Sequence, residues 1–204
     1  MSSVPQAASP EYPEALLEVA RIEGPDVLIP ASTFEIETVA PWTDRFEALG
    51  VRVLASRPED LHLANDKHRL YAMFDGDPDV PVPAHRLVRS LEEFLAAVEE
   101  LGAGGRRLCF KPPRSKGSRG FRYLDGRTSR RSLLLDHKPD NKVMSLEEFR
   151  ATFADDPDFP PLLVMEVLEG EEIDSMVIGH EGEALLITHK TRESERGGVI
   201  TRGE

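Results

Sequence analysis

The sequence predicts an α/β fold on three observations. Residues 26–74 read as strand, helix, strand, helix, the order of a parallel sheet with helices packed on it. A proline-rich break, Val80-Pro-Val-Pro83, separates them from a second series of short apolar strands and capped helices. The 204 residues are 40% hydrophobic and 30% charged, a balance that supports a globular protein with a buried core.

The elements follow in order. Residues 1–10 are small, polar and proline-containing, with little to bury. Leu16, Leu17, Val19 and Ala20 place an apolar helical face within 14–23, and Pro25 interrupts it. Asp26-Val-Leu-Ile29 is a short strand ending at Pro30. A helix over 35–49 is expected to kink or restart at Pro41 and to stop at Gly50. Val51-Arg-Val-Leu54 is the second strand. Pro58-Glu-Asp60 suits a helix N-terminus, so a helix is expected over 58–74. Two strands are too few for an independent doubly wound domain, which predicts a partial sheet whose other strands come from a partner or from a missing beginning.

Beyond the turn Asp75-Gly-Asp-Pro-Asp79, a strand is expected at 85–88. Ser90 and Glu93 form a capping box that opens a helix over 91–101. Residues 108–111 are a strand, 112–119 a Pro/Gly/Ser-rich basic loop, and 120–124 the returning strand. Residues 125–141 read as polar and irregular apart from Leu133-Leu-Leu135. Ser145 and Glu148 repeat the capping box and open a helix to about 154. The Ser-Leu-Glu-Glu-Phe segments at 90 and 145 read as two independent helix starts, because their flanks differ and no period recurs. A buried strand over 162–168 precedes a hairpin, 173–178 with 184–188, around His180-Glu-Gly-Glu183, and a polar, Gly-rich tail from 192 to 204.

Composition narrows function. Asp and Glu number 37 against 25 Lys and Arg, a net charge of −12. That argues against nucleic acid or an anionic membrane surface as a partner. No apolar run approaches the roughly 20 residues needed to span a bilayer. The first ten residues lack the basic and apolar regions of a secretory signal. The single cysteine, Cys109, excludes an intrachain disulfide and a Cys-rich zinc site. These features together predict a cytoplasmic protein.

Three segments carry candidate chemistry. In Phe110-Lys-Pro-Pro-Arg-Ser-Lys-Gly-Ser-Arg-Gly-Phe121, a strand ends in a lysine and feeds a flexible basic loop. Glycine lets backbone N–H groups approach phosphate oxygens closely, and lysine and arginine add positive charge. The Gly-Lys-Ser/Thr of a P-loop is absent, and taken alone such a loop is more often a solvated turn. In Leu162-Leu-Val-Met-Glu-Val-Leu-Glu-Gly-Glu-Glu-Ile-Asp174, a buried strand runs into an acidic turn whose backbone suits an adenine edge and whose carboxylates suit ribose hydroxyls. Taken alone, it is ordinary solvated surface. Asn65-Asp-Lys67, on the helix before the break, reads by itself as a surface ion-pair motif.

The ordered set of these segments resembles the ATP-grasp superfamily, and within it the ligases similar to the large subunit of carbamoyl-phosphate synthase. The resemblance covers about residues 25–204. It implies a tail and first helix over 1–24, a partial pre-ATP-grasp β-α-β-α domain over 25–83, and an ATP-grasp nucleotide-binding region, incomplete at its C-terminal end, over 84–204. It also implies ATP as the bound nucleotide. Lys67 and Lys111 would contact its phosphates, and Arg114, Ser115, Lys116, Gly117, Ser118, Arg119 and Gly120 would form the mobile loop that closes over them. Glu166, Val167 and Leu168 match the adenine hinge. Glu172, with Glu171 second, matches the ribose acid, and Lys190 and Arg192 match basic positions near the triphosphate and acyl substrate. Arg202 would face the substrate, so Arg192 and Arg202 are the catalytic candidates.

The implied reaction is ligation of a small-molecule carboxylate to an amine through an acylphosphate, with Mg²⁺ held by phosphates and hard oxygen ligands. The sequence departs from the family in two ways. The first domain shows only two strands. The family's magnesium ligands and Asn-Pro-Arg segment fall beyond residue 204, so no metal ligand is assigned and a completing chain or homo-oligomer is expected. The alternative is a truncated, non-catalytic nucleotide-binding or protein-interaction module.

Overall fold

The computed structural model describes residues 4–115, 117–135, 142–191, 194–196 and 199–202. They fall into two compact units, residues 1–70 and 71–204.

The first unit begins with α1 (Tyr12–Glu23), which carries proline in its first turn and ends at Gly24 in the left-handed region, φ 60°. Strand β1 (Val27–Leu28) leads to α2 (Thr33–Val39), opened by a capping box between Ser32 and Glu35. Pro41 then imposes the expected interruption, a 3₁₀ turn over Ala40–Trp42, and α3 (Thr43–Glu47) restarts the helix. Strand β2 (Arg52–Val53) pairs in parallel with β1, Val27 against Arg52 and Leu28 against Val53. Tyr12, Leu17, Ala20, Val39, Phe46 and Val51 form the buried core. The Tyr12 hydroxyl donates to Glu35 Oε1 at 3.0 Å and ties α1 to the start of α2.

The helix expected over 58–74 is two helices, α4 (Pro58–Ala64) and α5 (Lys67–Met73). Asp66 makes the break, because its Oδ1 accepts from the backbone N–H of His68 (3.1 Å) and Arg69 (3.2 Å). A short acceptor that bonds the next backbone donors starts a new helix rather than continuing the old one. Asn65 donates to Glu37 Oε1 at 2.7 Å and fixes the end of α4.

The second unit is built on a five-stranded sheet ordered β3-β7-β4-β5-β6, where β3 is His85–Val88, β4 Leu108–Lys111, β5 Arg122–Leu124, β6 Val143–Met144 and β7 Leu162–Glu166. All neighbours are antiparallel except β5 and β6. Helices α6 (Leu91–Leu101) and α8 (Leu146–Phe153) cover one face. Their Ser-Leu-Glu-Glu-Phe openings meet there: Phe94 and Phe149 stack at 3.7 Å with 9° between planes, and Phe110 meets both edge-on. Ser145 and Glu148 complete the expected capping box. At the other copy Ser90 accepts from the Glu93 N–H, while the Glu93 carboxylate takes the Arg89 N–H instead.

Some elements were not foreseen. Residues 130–135 form helix α7 (Arg130–Leu135), and Val143–Met144 supply the parallel edge strand β6. Strand β7 ends at Glu166, two residues short of expectation. The hairpin is longer than expected, β8 (Ile173–His180) with β9 (Glu183–Thr191), turned by Glu181 and Gly182 at φ 50° and 85°. The polar, Gly-rich tail contains a second antiparallel pair, β10 (Ser194–Arg196) and β11 (Val199–Arg202), which the sequence reading did not include.

Candidate functional site

The side-chain period of two divides the central sheet into contrasting faces. Pairing aligns His85, Met165, Cys109 and Tyr123 in one row, and Leu87, Leu163 and Lys111 in the next. This is the face away from α6 and α8. Cys109, Leu163 and Met165 are buried on it, and Tyr71, Leu87, Phe121, Tyr123 and Val167 pack around them. Lys111 therefore ends β4 on an apolar surface, immediately before the basic loop.

The environment of Lys111 is unusual for a lysine. Its ammonium is half-buried, and burial holds its pKa below the ordinary 10.5. Nζ donates to the Tyr71 hydroxyl at 3.3 Å and lies 5.6 Å from the centroid of that ring. Among the described residues no carboxylate lies within ion-pair distance of it. Burial pushes the neighbouring Cys109 thiol up to about 11 and raises the Tyr71 phenol, so both stay neutral around pH 7. A half-buried cation with only neutral partners is suited to an anionic ligand.

The loop after Lys111 is shaped by its glycines. Gly117 and Ser118 lie in the left-handed region at φ 58° and 57°. Gly120 has φ +76°, and a Cβ there would stand 2.6 Å from Pro112 Cδ. Glycine at 120 is what lets the two ends of the loop meet. Arg114, Gly117, Ser118, Arg119 and Gly120 are exposed; the Ser115 hydroxyl donates to the Pro112 carbonyl at 3.4 Å. Lys116 lies outside the described residues.

At the other candidate segment the Glu166 carboxylate has a local task. Its Oε1 accepts the Ala84 N–H at 2.8 Å, and the Glu166 N–H donates to the Ala84 carbonyl at 3.0 Å. Arg106 stands 3.9 Å from Oε2, and the Val167 N–H donates to the Arg107 carbonyl. Among the described residues the Leu168 N–H has no protein partner, and Leu168 is 67% exposed. This segment is thus anchored through Glu166 and Val167 and, among the described residues, open at Leu168.

The remaining candidates are spread along the second unit and before it. Lys67 opens α5 in the first unit. Glu171 and Glu172 are exposed in the turn before β8. Lys190 pairs across the hairpin with Asp174 at 3.5 Å. Arg192 lies outside the described residues, and Arg202 ends β11. Sequence reasoning missed Tyr71, because no local pattern reports a contact between residues forty apart.

No family model matches the chain. It is 27% identical over 187 residues, 91% of its length, to the carbamoyl phosphate synthase large chain of Pseudothermotoga lettingae. It matches a β,γ-ATP complex of biotin carboxylase from Campylobacter jejuni with TM-score 0.62 at 17% identity, over 95% of this chain and 41% of that one. It also matches the biotin carboxylase domain of 2-oxoglutarate carboxylase from Hydrogenobacter thermophilus, solved with MgADP, ADP and bicarbonate, with TM-score 0.61 at 18% identity. That match covers 93% of this chain and 39% of the other. The chain spans 15% of the length of the large chain it resembles. It is related to the ATP-grasp superfamily and has a mixed α/β fold of that kind.

Proposed function

We propose that this ATP-grasp relative binds ATP and belongs to a carboxylate–amine ligase of the acylphosphate type. The carrying observation is Lys111, a half-buried ammonium with neutral partners at the mouth of a basic, glycine-shaped loop. In this reading Lys111 meets phosphate oxygens, and the backbone and arginines of 114–120 close over the β- and γ-phosphates. The Glu166 carbonyl and the open Leu168 N–H take the adenine edge, and Glu172 or Glu171 accepts from ribose. Lys67, Lys190, Arg192 and Arg202 are assigned to the triphosphate and acyl substrate on the strength of the resemblance alone.

The chemistry would then be two displacements. A carboxylate oxygen attacks the γ-phosphorus and ADP leaves; an amine attacks the acylphosphate carbonyl and phosphate leaves. What these residues contribute is charge neutralisation and alignment of the triphosphate. Among the described residues no group of three or more His, Cys, Asp or Glu could hold a metal ion. A second reading is a nucleotide-binding module without turnover by this chain alone.

Isothermal titration with MgATP separates the outcomes. Saturable binding that Lys111→Ala removes, with the variant still folded, supports the nucleotide site. Absence of heat and of a thermal shift contradicts it. ADP release stimulated by a carboxylate and an amine selects the ligase over the binding module.

A further inference from the structure

We propose that Tyr71 is a positioning residue for Lys111: its phenol oxygen accepts from Nζ and holds the ammonium at the end of β4, where a nucleotide phosphate meets it. The inference rests on the reading of Lys111 as a phosphate contact and goes beyond it by assigning Tyr71, which no sequence motif singled out.

The geometry carries the argument. The Tyr71 oxygen lies 3.3 Å from Nζ, and the ring centroid is 5.6 Å from it, so the ammonium sits at the hydroxyl end of the ring. The ring is itself held, packed against the cluster of Cys109, Leu163 and Met165 and set edge-on to His85 at 5.2 Å. A lysine stem is long and loses rotamer freedom when its head is fixed. A partner already in place before ligand arrives removes much of that loss from the binding step.

The neutrality of the partner matters as much as its position. A carboxylate here would cancel the charge and compete with phosphate. A phenol orients one of the three ammonium protons and leaves two for the ligand. Among the described residues, the titratable neighbours on this face are Tyr71 of α5, Cys109 on the same strand, His85 of β3 and Tyr123 of β5, and none is a carboxylate. Burial raises the Tyr71 phenol, which keeps it protonated and uncharged.

The test is Tyr71→Phe in the full chain, which keeps the ring and removes the acceptor. Lysine labelled with ¹³C at Cε reports the Lys111 titration without nucleotide, its resonance identified by its loss in Lys111→Met. An acceptor stabilises the ammonium, so removing it moves the Lys111 midpoint to lower pH. The MgATP Kd at pH 7.5 rises about fivefold, the cost of ordering one long side chain during binding. Tyr71→Gln, which returns a neutral oxygen, recovers part of both effects. An unchanged midpoint in Tyr71→Phe overturns the proposal, and so does a lowered midpoint with an unchanged Kd. If the wild-type chain binds no MgATP, the nucleotide reading falls and the role of Tyr71 in it falls too, while the midpoint still reports the Tyr71–Lys111 bond.

Discussion

At the end of β4 a lysine sits half-buried against a phenol, and that placement has opposite effects on folding and on binding. Burial lowers the Lys111 pKa in the folded chain relative to the unfolded one, so the charged form is a cost to the fold at neutral pH. The cost is present below the folded pKa and fades as pH rises through the ordinary lysine value. Lys111→Met therefore raises the melting temperature at pH 7 while removing MgATP binding, a pair of changes read by thermal denaturation and calorimetry. In the wild type, ATP affinity declines on the alkaline side from a pH below the ordinary 10.5, as the ammonium loses its proton. Gly120 is the second decisive residue. Gly120→Ala places a Cβ 2.6 Å from Pro112 Cδ at a φ of +76°, and displaces the loop that follows Lys111. A loss of about 1 kcal/mol or more in urea unfolding, with weaker ATP binding, is the expected result.

Elements differed in how openly the sequence announced them. The capping box at Ser145, the restart at Pro41 and the strand runs at 85–88 and 108–111 act within one turn or one strand, so composition reveals them. Asp66 split the expected helix by a side-chain choice that helical periodicity does not record. Strand β6 has only two residues and exists because Tyr123 and Leu124 offer it an edge, a tertiary cause. Within the candidate site, Lys111, the loop glycines and the hinge were legible as an ordered set, whereas Tyr71 and the Glu166 clamp on Ala84 depend on distant pairing. Hairpin β8–β9 is weakly secured. Met176, Val177, Ile178, Leu185, Leu186 and Ile187 are all more than half exposed, and a two-stranded ribbon is marginal alone in water. Hydrogen exchange should show its amides exchanging well before those of β4 and β7.

Across the second unit, a single sheet separates two tasks. One face buries Phe94, Phe110 and Phe149 beneath two helices; the other presents Lys111 among Cys109, Met165 and Tyr71. Phe149 is fully buried, and Phe149→Ala is expected to cost about 3–5 kcal/mol, measured as a shift of the urea midpoint. That is a large share of the roughly 5–15 kcal/mol by which domains are stable, so the loss would reach Lys111 through the strand that also carries Phe110. The central claim, that the Lys111 face receives ATP, is tested most directly by calorimetric titration of MgATP into the wild-type chain and Lys111→Ala. Saturable one-to-one binding by the wild type, lost in a folded variant, is the predicted result; equal heats from both, or none from the wild type, would contradict it.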